Sequence, residues 1–200
     1  MKKIIAIALL VACSLGIGTI FWYVDFVYSL PTEIPEAYHA VPVGTNIDVA
    51  WKMPPNGGKP ILLHFFNPDC PCSRFNIPHF KSLVKEYGSN VTFVVVPMLL
   101  PGVRYTEQEI QQKFGLDIPV LFDNSLAEES GVYSTPQAVI VNSDHTLYYR
   151  GNYNKSRYCT DKKSNYAQMA LDSLLSHHDN PVFSELALRA YGCQLPNCTK

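Results

Sequence analysis

The chain has 200 residues, of which 47% are hydrophobic, and its 16 basic and 17 acidic side chains give a net charge of −1. This length allows one domain with a sizeable core beside a membrane segment. The sequence contains no run of basic residues and no stripe of basic and aromatic residues, which argues against a nucleic-acid partner. The informative features are the apolar N-terminus and the cysteines.

Residues 1–30 are typical of a membrane anchor. Lys2 and Lys3 precede an uncharged apolar run over residues 4–24, which is long enough to span a hydrocarbon core. Lysines on the N-terminal side alone predict a cytoplasmic N-terminus. We therefore expect a single pass through a bacterial inner membrane, with the domain facing the periplasm.

Two other interpretations of this segment remain open. A cleaved signal peptide is the weaker one, because no small-x-small site closes the apolar run. The sequence Leu-Val-Ala-Cys at residues 10–13 resembles a lipobox, which would make the protein a lipoprotein anchored at Cys13. All three interpretations export the domain.

Beyond the anchor, residues 31–57 predict a proline-rich spacer with one short strand around 47–51, and residues 58–200 predict the folded domain. Within the domain, apolar runs alternate with segments of helical periodicity and end in a hairpin, which indicates an α/β sheet of mixed direction. The predicted strands are 61–66, 91–96, 120–122, 138–141 and 146–149, and the predicted helical segments are 73–87, 106–114, 125–130, 166–175 and 182–191.

The most informative motif is Cys-Pro-Cys-Ser at residues 70–73. It directly follows the apolar strand 61–66 and opens the helix 73–87. A cysteine at such a junction lies beside unpaired backbone N–H groups and the positive end of the helix dipole. Both favour the thiolate, the nucleophilic form of cysteine, so the motif predicts a redox or metal-handling site.

Three further cysteines lie in the exported part. Five cysteines in an oxidising compartment suggest two disulfides and one free or transiently paired thiol. Cys193 and Cys198 flank a turn and are most simply interpreted as a clamp on the C-terminal tail. Cys159 pairs with Cys193 in one alternative and reaches the active site as a remote resolving thiol in another. The sequence leaves these pairings open.

Three segments resemble parts of one known family. The sequence Phe-Phe-Asn-Pro-Asp-Cys at residues 65–70 resembles the Phe-Trp-x-x-x-Cys entry to the thioredoxin active site. Residues 131–136 resemble the loop that bears the cis-proline, and residues 138–151 resemble the hairpin that follows. The chain thus resembles membrane-anchored thioredoxin-like proteins of the TlpA/redoxin kind. This resemblance implies a thioredoxin-like α/β fold, with a central mixed β-sheet flanked by helices and an N-terminal transmembrane helix.

The resemblance also implies roles for the residues of the motif. Cys70 takes the place of the nucleophilic cysteine, whereas Ser73 stands where the second cysteine of Cys-x-x-Cys belongs. Cys72, one residue early, is then a candidate to resolve a mixed disulfide. In the alternative, Ser73 donates a hydrogen bond to the Cys70 thiolate and the resolving thiol comes from elsewhere.

Three more residues are assigned by the same resemblance. Pro136 is expected to be cis and to face Cys70, and the backbone of Thr135 to bind an extended substrate. His64 stands where thioredoxins carry a buried acid. It is either a proton relay to Cys72 or a leaving thiol, or a core histidine bonded to the backbone, and the second is slightly favoured.

The first function class is a thiol–disulfide oxidoreductase without a cofactor. Its partners would be exported thiol or disulfide proteins and a membrane or periplasmic redox partner. The second is a copper(I)-binding or delivery protein with Cys70 and Cys72 as ligands and a third ligand from Cys159 or His79. A thiol peroxidase is a weaker alternative, because Asn67 stands where peroxiredoxins place a threonine. A non-catalytic binding module is also open.

Overall fold

A computed structural model describes residues 1–49, 52–53, 56–176 and 182–195 of the chain. The first element is helix α1, Lys2–Ser29. Within it, the 22 residues of Lys2–Tyr23 are long and apolar enough to cross a membrane, and the domain buries none of them. By length and composition, α1 is compatible with a single-pass anchor or with a signal sequence.

The centre of the domain is a mixed sheet of four strands. It has the strand order β2-β1-β4-β5, in which β1 runs parallel to β2 and antiparallel to β4, and β4 and β5 form an antiparallel hairpin. Every residue of β1 is buried, as its continuous apolar sequence predicts. The strands are β1 (Ile61–Phe66), β2 (Thr92–Pro97), β4 (Gln137–Val141) and β5 (Leu147–Gly151), with the short β3 (Ser134–Thr135) before β4.

Helices flank this sheet. The longest, α2, begins two residues before the predicted start because Pro71 occupies its first turn, where the missing N–H costs nothing. Both hydrogen bonds of the capping box between Thr106 and Glu109 are present at the start of α3. The helices are α2 (Pro71–Tyr87), α3 (Glu107–Phe114), α4 (Ser125–Glu129), α5 (Tyr166–Leu175) and α6 (Glu185–Leu188), with a 3₁₀ turn at Lys162–Ser164.

The core lies on both faces of the sheet. Leu62 and Phe66 of β1 pack on the side that contains Phe80 of α2, while Leu63 and Phe65 pack on the opposite side. Side chains of successive strand residues point to opposite faces, so β1 is held by two apolar layers at once. This packing fixes the end of β1, and with it the loop that leads to Cys70.

Two predicted elements differ from the structure. The strand 120–122 is reduced to a single bridge between Val120 and Val95. The helix 182–191 is reduced to α6, because the side-chain amide of Asn152 donates hydrogen bonds to the carbonyl oxygens of Leu186 and Arg189 and holds the following backbone extended. The chain then enters a short strand, β6 (Cys193–Gln194). Part of the predicted strand 47–51 lies outside the described residues.

The helix that follows β1, the mixed sheet and the cis peptide bond between Thr135 and Pro136 are features of a thioredoxin-like fold. The predicted fold class is confirmed. The predicted cis conformation of Pro136 is confirmed as well.

Candidate redox site

Cys70 is the N-cap residue of α2 and has an extended backbone (φ −87°, ψ 126°). Its N–H donates to the carbonyl of Asn67 over 3.1 Å, and its own carbonyl accepts from the N–H of Arg74 over 3.2 Å. The sulfur therefore lies at the N-terminus of a 17-residue helix, where N–H groups lack intrahelical partners and the dipole is positive. Cys70 is disulfide-bonded in the structure, and this position stabilises the thiolate that reduction of the disulfide releases.

Ser73 positions the loop that carries Cys70. The N–H of Asn67 donates to the Ser73 Oγ over 3.0 Å, and the N–H of Asp69 donates to the Asn67 Oδ1 over 2.9 Å. Both Ser73 and Asn67 are buried, so these bonds are sheltered from water. They fix the turn between β1 and α2. The proposed bond from Ser73 to a Cys70 thiolate stays a prediction.

Asp69, next to Cys70, accepts hydrogen bonds from side chains of α3 and of the segment before it. Its Oδ1 accepts hydrogen bonds from the Tyr105 hydroxyl at 2.6 Å and from the Lys113 Nζ at 2.9 Å. The Tyr105 hydrogen bond, followed by the bond and charge of Lys113, holds the pKa of Asp69 below its usual value. Its carboxylate is thus ionised, and the Lys113 ammonium offsets much of the charge that would oppose a neighbouring thiolate.

The cis-proline loop contains the short strand β3, which pairs with the C-terminal strand β6. Ser134 and Thr135 form β3, which pairs antiparallel with β6 so that Thr135 stands opposite Cys193 and Ser134 opposite Gln194. Beyond this pair, the N–H of Leu195 donates to the carbonyl of Tyr133 over 3.2 Å. The C-terminal segment therefore lies along the backbone that the resemblance assigned to an extended substrate.

Three sulfurs meet at this point. The Sγ atoms of Cys70 and Cys193 are 2.9 Å apart, and those of Cys70, Cys72 and Cys193 all lie within 4.8 Å of one another. We call these three residues the sulfur cluster. Cys70 has no exposed surface, and Cys72 and Cys193 are 5% and 2% exposed. An external thiol or disulfide cannot reach these atoms while the C-terminal segment covers them.

The sequence placed Cys193 elsewhere. The sequence predicts either a tail clamp with Cys198, which lies outside the described residues, or a bond to Cys159. The structure instead places Cys193 against Cys70, 123 residues away in sequence. The signal that points there is Gly192, since a Cβ at that position would lie 2.1 Å from the Thr135 carbonyl oxygen. Only glycine lets the two backbones approach so closely.

Next to the cluster lies a cavity of about 380 Å³, lined among others by Cys72, Asn76, Pro136, Tyr153 and Cys159. The side-chain amide of Asn76 donates to the Cys159 sulfur over 3.2 Å. Burial nevertheless raises the pKa of Cys159 to about 11. Its sulfur stays a protonated thiol near neutral pH, which makes it a poor resolving nucleophile.

His64 is fully buried in β1 between aromatic rings. Its ring stacks on that of Phe80 at 4.2 Å, and its Nδ1 lies 2.7 Å from the Tyr153 hydroxyl oxygen. Burial lowers the pKa of His64 to about 3, so the imidazole is neutral under ordinary conditions. These contacts favour the core histidine over the proton relay, but the ring is hydrogen-bonded to the Tyr153 hydroxyl and not, as predicted, to the backbone.

A soft metal would find its ligands in the sulfur cluster. Within the described part of the chain, Cys70, Cys72 and Cys193 are the one group of three or more potential ligand side chains close enough to share an ion. The third ligand proposed from sequence was Cys159 or His79, and neither belongs to this group. With Cys70 reduced, the three sulfurs would form a donor set that fits copper(I).

The family model for a domain of unknown function, DUF6436, matches residues 45–195. No curated protein matches the chain. Among solved structures, a hypothetical protein from Sinorhizobium meliloti 1021 is similar at 18% identity and a TM-score of 0.64, over 79% of this chain and 96% of that one. An uncharacterized conserved protein from Geobacillus kaustophilus is similar at 19% identity and a TM-score of 0.60, over 80% and 94% of the two chains.

A lower similarity links the chain to MTB dsbF, solved in its mixed oxidized and reduced forms. The identity is 23% and the TM-score 0.45, over 58% of this chain and 81% of that one.

Proposed function

This chain belongs to the DUF6436 family, whose domain is described as one of unknown function, and we propose that it is a thiol–disulfide oxidoreductase acting through the Cys70 thiolate. The observation that carries this proposal is the position of Cys70. It lies at the N-terminus of α2 with two further sulfurs within 4.8 Å, beside a cis-proline loop.

The reaction is two successive exchanges. The Cys70 thiolate attacks one sulfur of a client disulfide, the client S–S bond breaks, and a mixed disulfide forms while the other client sulfur leaves as a thiolate. A second thiolate of the sulfur cluster then attacks the Cys70 sulfur and releases the client. Two electrons pass from the protein dithiol to the client disulfide, and the reverse sequence oxidises a client dithiol.

The other residues of the site orient this chemistry. An extended client would pair with the backbone at Thr135, before cis-Pro136, and so present its sulfur to Cys70. Ser73 holds the Cys70 loop through Asn67. His64 keeps the strand beneath the site packed, and its neutral ring takes no proton in the reaction.

We further propose that the protein works at the outer face of a bacterial inner membrane, held by residues 4–24. Two lysines before the apolar stretch of α1 support this orientation. Its clients would be exported thiol or disulfide proteins, and a membrane or periplasmic protein would restore its redox state. Lipidation at Cys13 is the alternative form of the anchor.

The test is disulfide mapping of the full-length protein in detergent, by mass spectrometry across a series of glutathione redox buffers. We expect a disulfide or a glutathione adduct at Cys70 that appears and disappears reversibly. A Cys70→Ser variant should lose both, whereas the matched Cys159→Ser variant should retain them. A Cys70 that stays reduced and unmodified in every buffer would contradict the proposal.

Copper(I) binding is the second candidate, because the donor set is present. Once Cys70 is reduced, three sulfur ligands within 4.8 Å favour a soft monovalent ion over hard cations. Titration of the reduced protein with copper(I) against a chromogenic chelator should then show one bound ion per chain. Single serine variants of Cys72 and Cys193 should each weaken binding, and a Cys159→Ser variant should not. Binding that survives loss of Cys193 would exclude this three-sulfur site.

A further inference from the structure

The C-terminal segment, residues 192–195, occupies the site that an external client needs. We call this segment the strap. Its β6 residues pair with β3 in antiparallel register, and its cysteine contacts the nucleophile at 2.9 Å. A strand that pairs with the backbone before the cis-proline and presents a sulfur to Cys70 has the arrangement expected of a bound client.

The strap is attached to the domain by specific contacts. Gly192 lies against the Thr135 backbone, and its carbonyl accepts a hydrogen bond from the Thr32 Oγ1 over 2.7 Å. The N–H of Thr32 donates to the carbonyl of Ala190 over 2.8 Å. Ala187 and Ala190, which lead into the strap, are fully buried. These contacts hold the strap in one defined position against the domain.

We propose that the strap is an internal client: Cys193 is a third redox cysteine, and an external client docks only after the strap has left β3. This inference rests on the proposed oxidoreductase function. It follows from two independent observations, the strand register at Thr135 and the burial of all three sulfurs. Exchange requires access to the attacked sulfur, and the strap denies that access.

The three sulfurs then have distinct parts in one isomerisation. In the structure Cys70 is disulfide-bonded, and the Cys193 sulfur lies 2.9 Å from the Cys70 sulfur. The Cys193 thiolate attacks the Cys70 sulfur, the existing S–S bond breaks and its other sulfur leaves as a thiolate, and a Cys70–Cys193 disulfide forms. The Cys72 thiolate attacks the Cys70 sulfur, the bond to Cys193 breaks, and a Cys70–Cys72 disulfide forms as Cys193 leaves as a thiolate. One S–S bond is exchanged for another, so no outside oxidant or reductant is consumed. The strap departs with Cys193, and the Cys70–Cys72 disulfide becomes open to an external dithiol.

A substitution at Gly192 tests this mechanism in the full-length protein. In Gly192→Val, the side chain would collide with the Thr135 carbonyl, so the strap should leave β3 while the rest of the domain keeps its fold. We expect alkylation of Cys72 in the reduced protein to become about 10-fold faster or more, because labelling follows the population of the open form. Leu188→Ala, at an exposed position just before the strap, is the matched control and should label like the wild type.

A peptide supplies the complementary experiment. A synthetic peptide with the sequence of residues 189–195, offered as a glutathione mixed disulfide, should react with Cys70 of the Gly192→Val protein and occupy the vacated site. The same peptide with valine in place of glycine should react more slowly, since its side chain meets Thr135 in the same way. Mass spectrometry of the Cys70 adduct measures both.

The outcomes separate the two proposals. If wild type and Gly192→Val label at the same rate while Cys70 still exchanges with glutathione, the internal-client inference fails and the oxidoreductase stands. If Cys70 forms no mixed disulfide even in the open variant, the oxidoreductase fails. Should Gly192→Val not fold, disulfide mapping of the wild type across the glutathione buffers is the second measurement. A Cys70–Cys193 disulfide in one of these buffers supports the role of Cys193. Exchange of Cys70 with glutathione without any Cys70–Cys193 disulfide overturns it.

Discussion

Cys72 belongs to the sulfur cluster and also lines the cavity beside it. The two regions differ in whether their surroundings favour the charged or the neutral form of a side chain. The cluster lies at the N-terminus of α2, where the first backbone N–H groups of a helix lack intrahelical partners. The cavity side contains Asn76, Tyr153 and Cys159, with His64 behind Tyr153. We call these four residues the neutral pocket. Burial lowers the pKa of His64 to about 3, raises that of Cys159 to about 11 and raises that of Tyr153.

This difference shows that burial alone does not make a redox cysteine. Desolvation disfavours the charged form of every group in the neutral pocket, and the neutral amide of Asn76 offsets it only weakly at Cys159. At the sulfur cluster, the helix N-terminus and the neighbouring sulfurs give a thiolate both stabilisation and a reaction partner. Thiol exchange is therefore expected at Cys70 and Cys193, and not at Cys159.

The largest expected effect is a loss of folding stability at acid pH, which comes from His64 in the neutral pocket. The His64 imidazole has a pKa of about 3 in the folded protein against 6.5 in the unfolded chain. Below pH 6.5 the unfolded chain binds a proton that the folded protein does not, so the free energy of unfolding should fall as the pH falls. The slope from this group is about 1.4 kcal/mol per pH unit down to pH 3.

A His64→Phe variant keeps a ring between Phe66 and Phe80 and should lose this part of the slope in urea unfolding. The pH profile of glutathione exchange at Cys70 should stay the same, because a neutral buried ring moves no proton. A profile that shifts in the variant would restore the proton-relay interpretation and would place His64 with the cluster.

The second effect concerns Cys159 itself. A pKa of about 11 instead of 9.0 leaves about 100-fold less thiolate near neutral pH, so alkylation of Cys159 should be about 100-fold slower in the folded protein than in urea. The rate should rise about tenfold per pH unit until the pH approaches 11. Mass spectrometry of the labelled peptide measures the alkylation rate. A plateau below pH 9 would contradict the raised pKa of Cys159, and with it the difference between the neutral pocket and the sulfur cluster.

Local patterns in the sequence were sufficient for most of the fold and for half of the site. The apolar run of β1, the helical spacing of α2 and the residues before Pro136 are contiguous, and each was placed correctly. Cys193 was not, because its partner Cys70 lies 123 residues away and a two-residue strand has no periodicity to detect. The last helix was overestimated for a related reason: Asn152, on another part of the chain, binds the carbonyls of Leu186 and Arg189.

The smallest effect tests how firmly the strap protects the cluster. The Thr32 hydroxyl donates to the Gly192 carbonyl and lies 3.2 Å from the Ser134 hydroxyl of β3, and Thr32 follows the end of α1 by three residues. Thr32→Val removes this donor and keeps the shape of the side chain. Since one such hydrogen bond contributes about 0.5–1.5 kcal/mol, the strap should open about 2- to 10-fold more often and Cys72 should be alkylated faster by that factor.

Thr32→Ser retains the hydroxyl and is the matched control, which should label at the wild-type rate. Labelling of Cys159 should change in neither variant, since its rate is set by the neutral pocket and not by the strap. Equal acceleration at Cys72 and Cys159 in Thr32→Val would mean that the two regions open together as one unit. Acceleration at Cys72 alone would show that the segment after α1 controls access to the sulfur cluster independently of the neutral pocket.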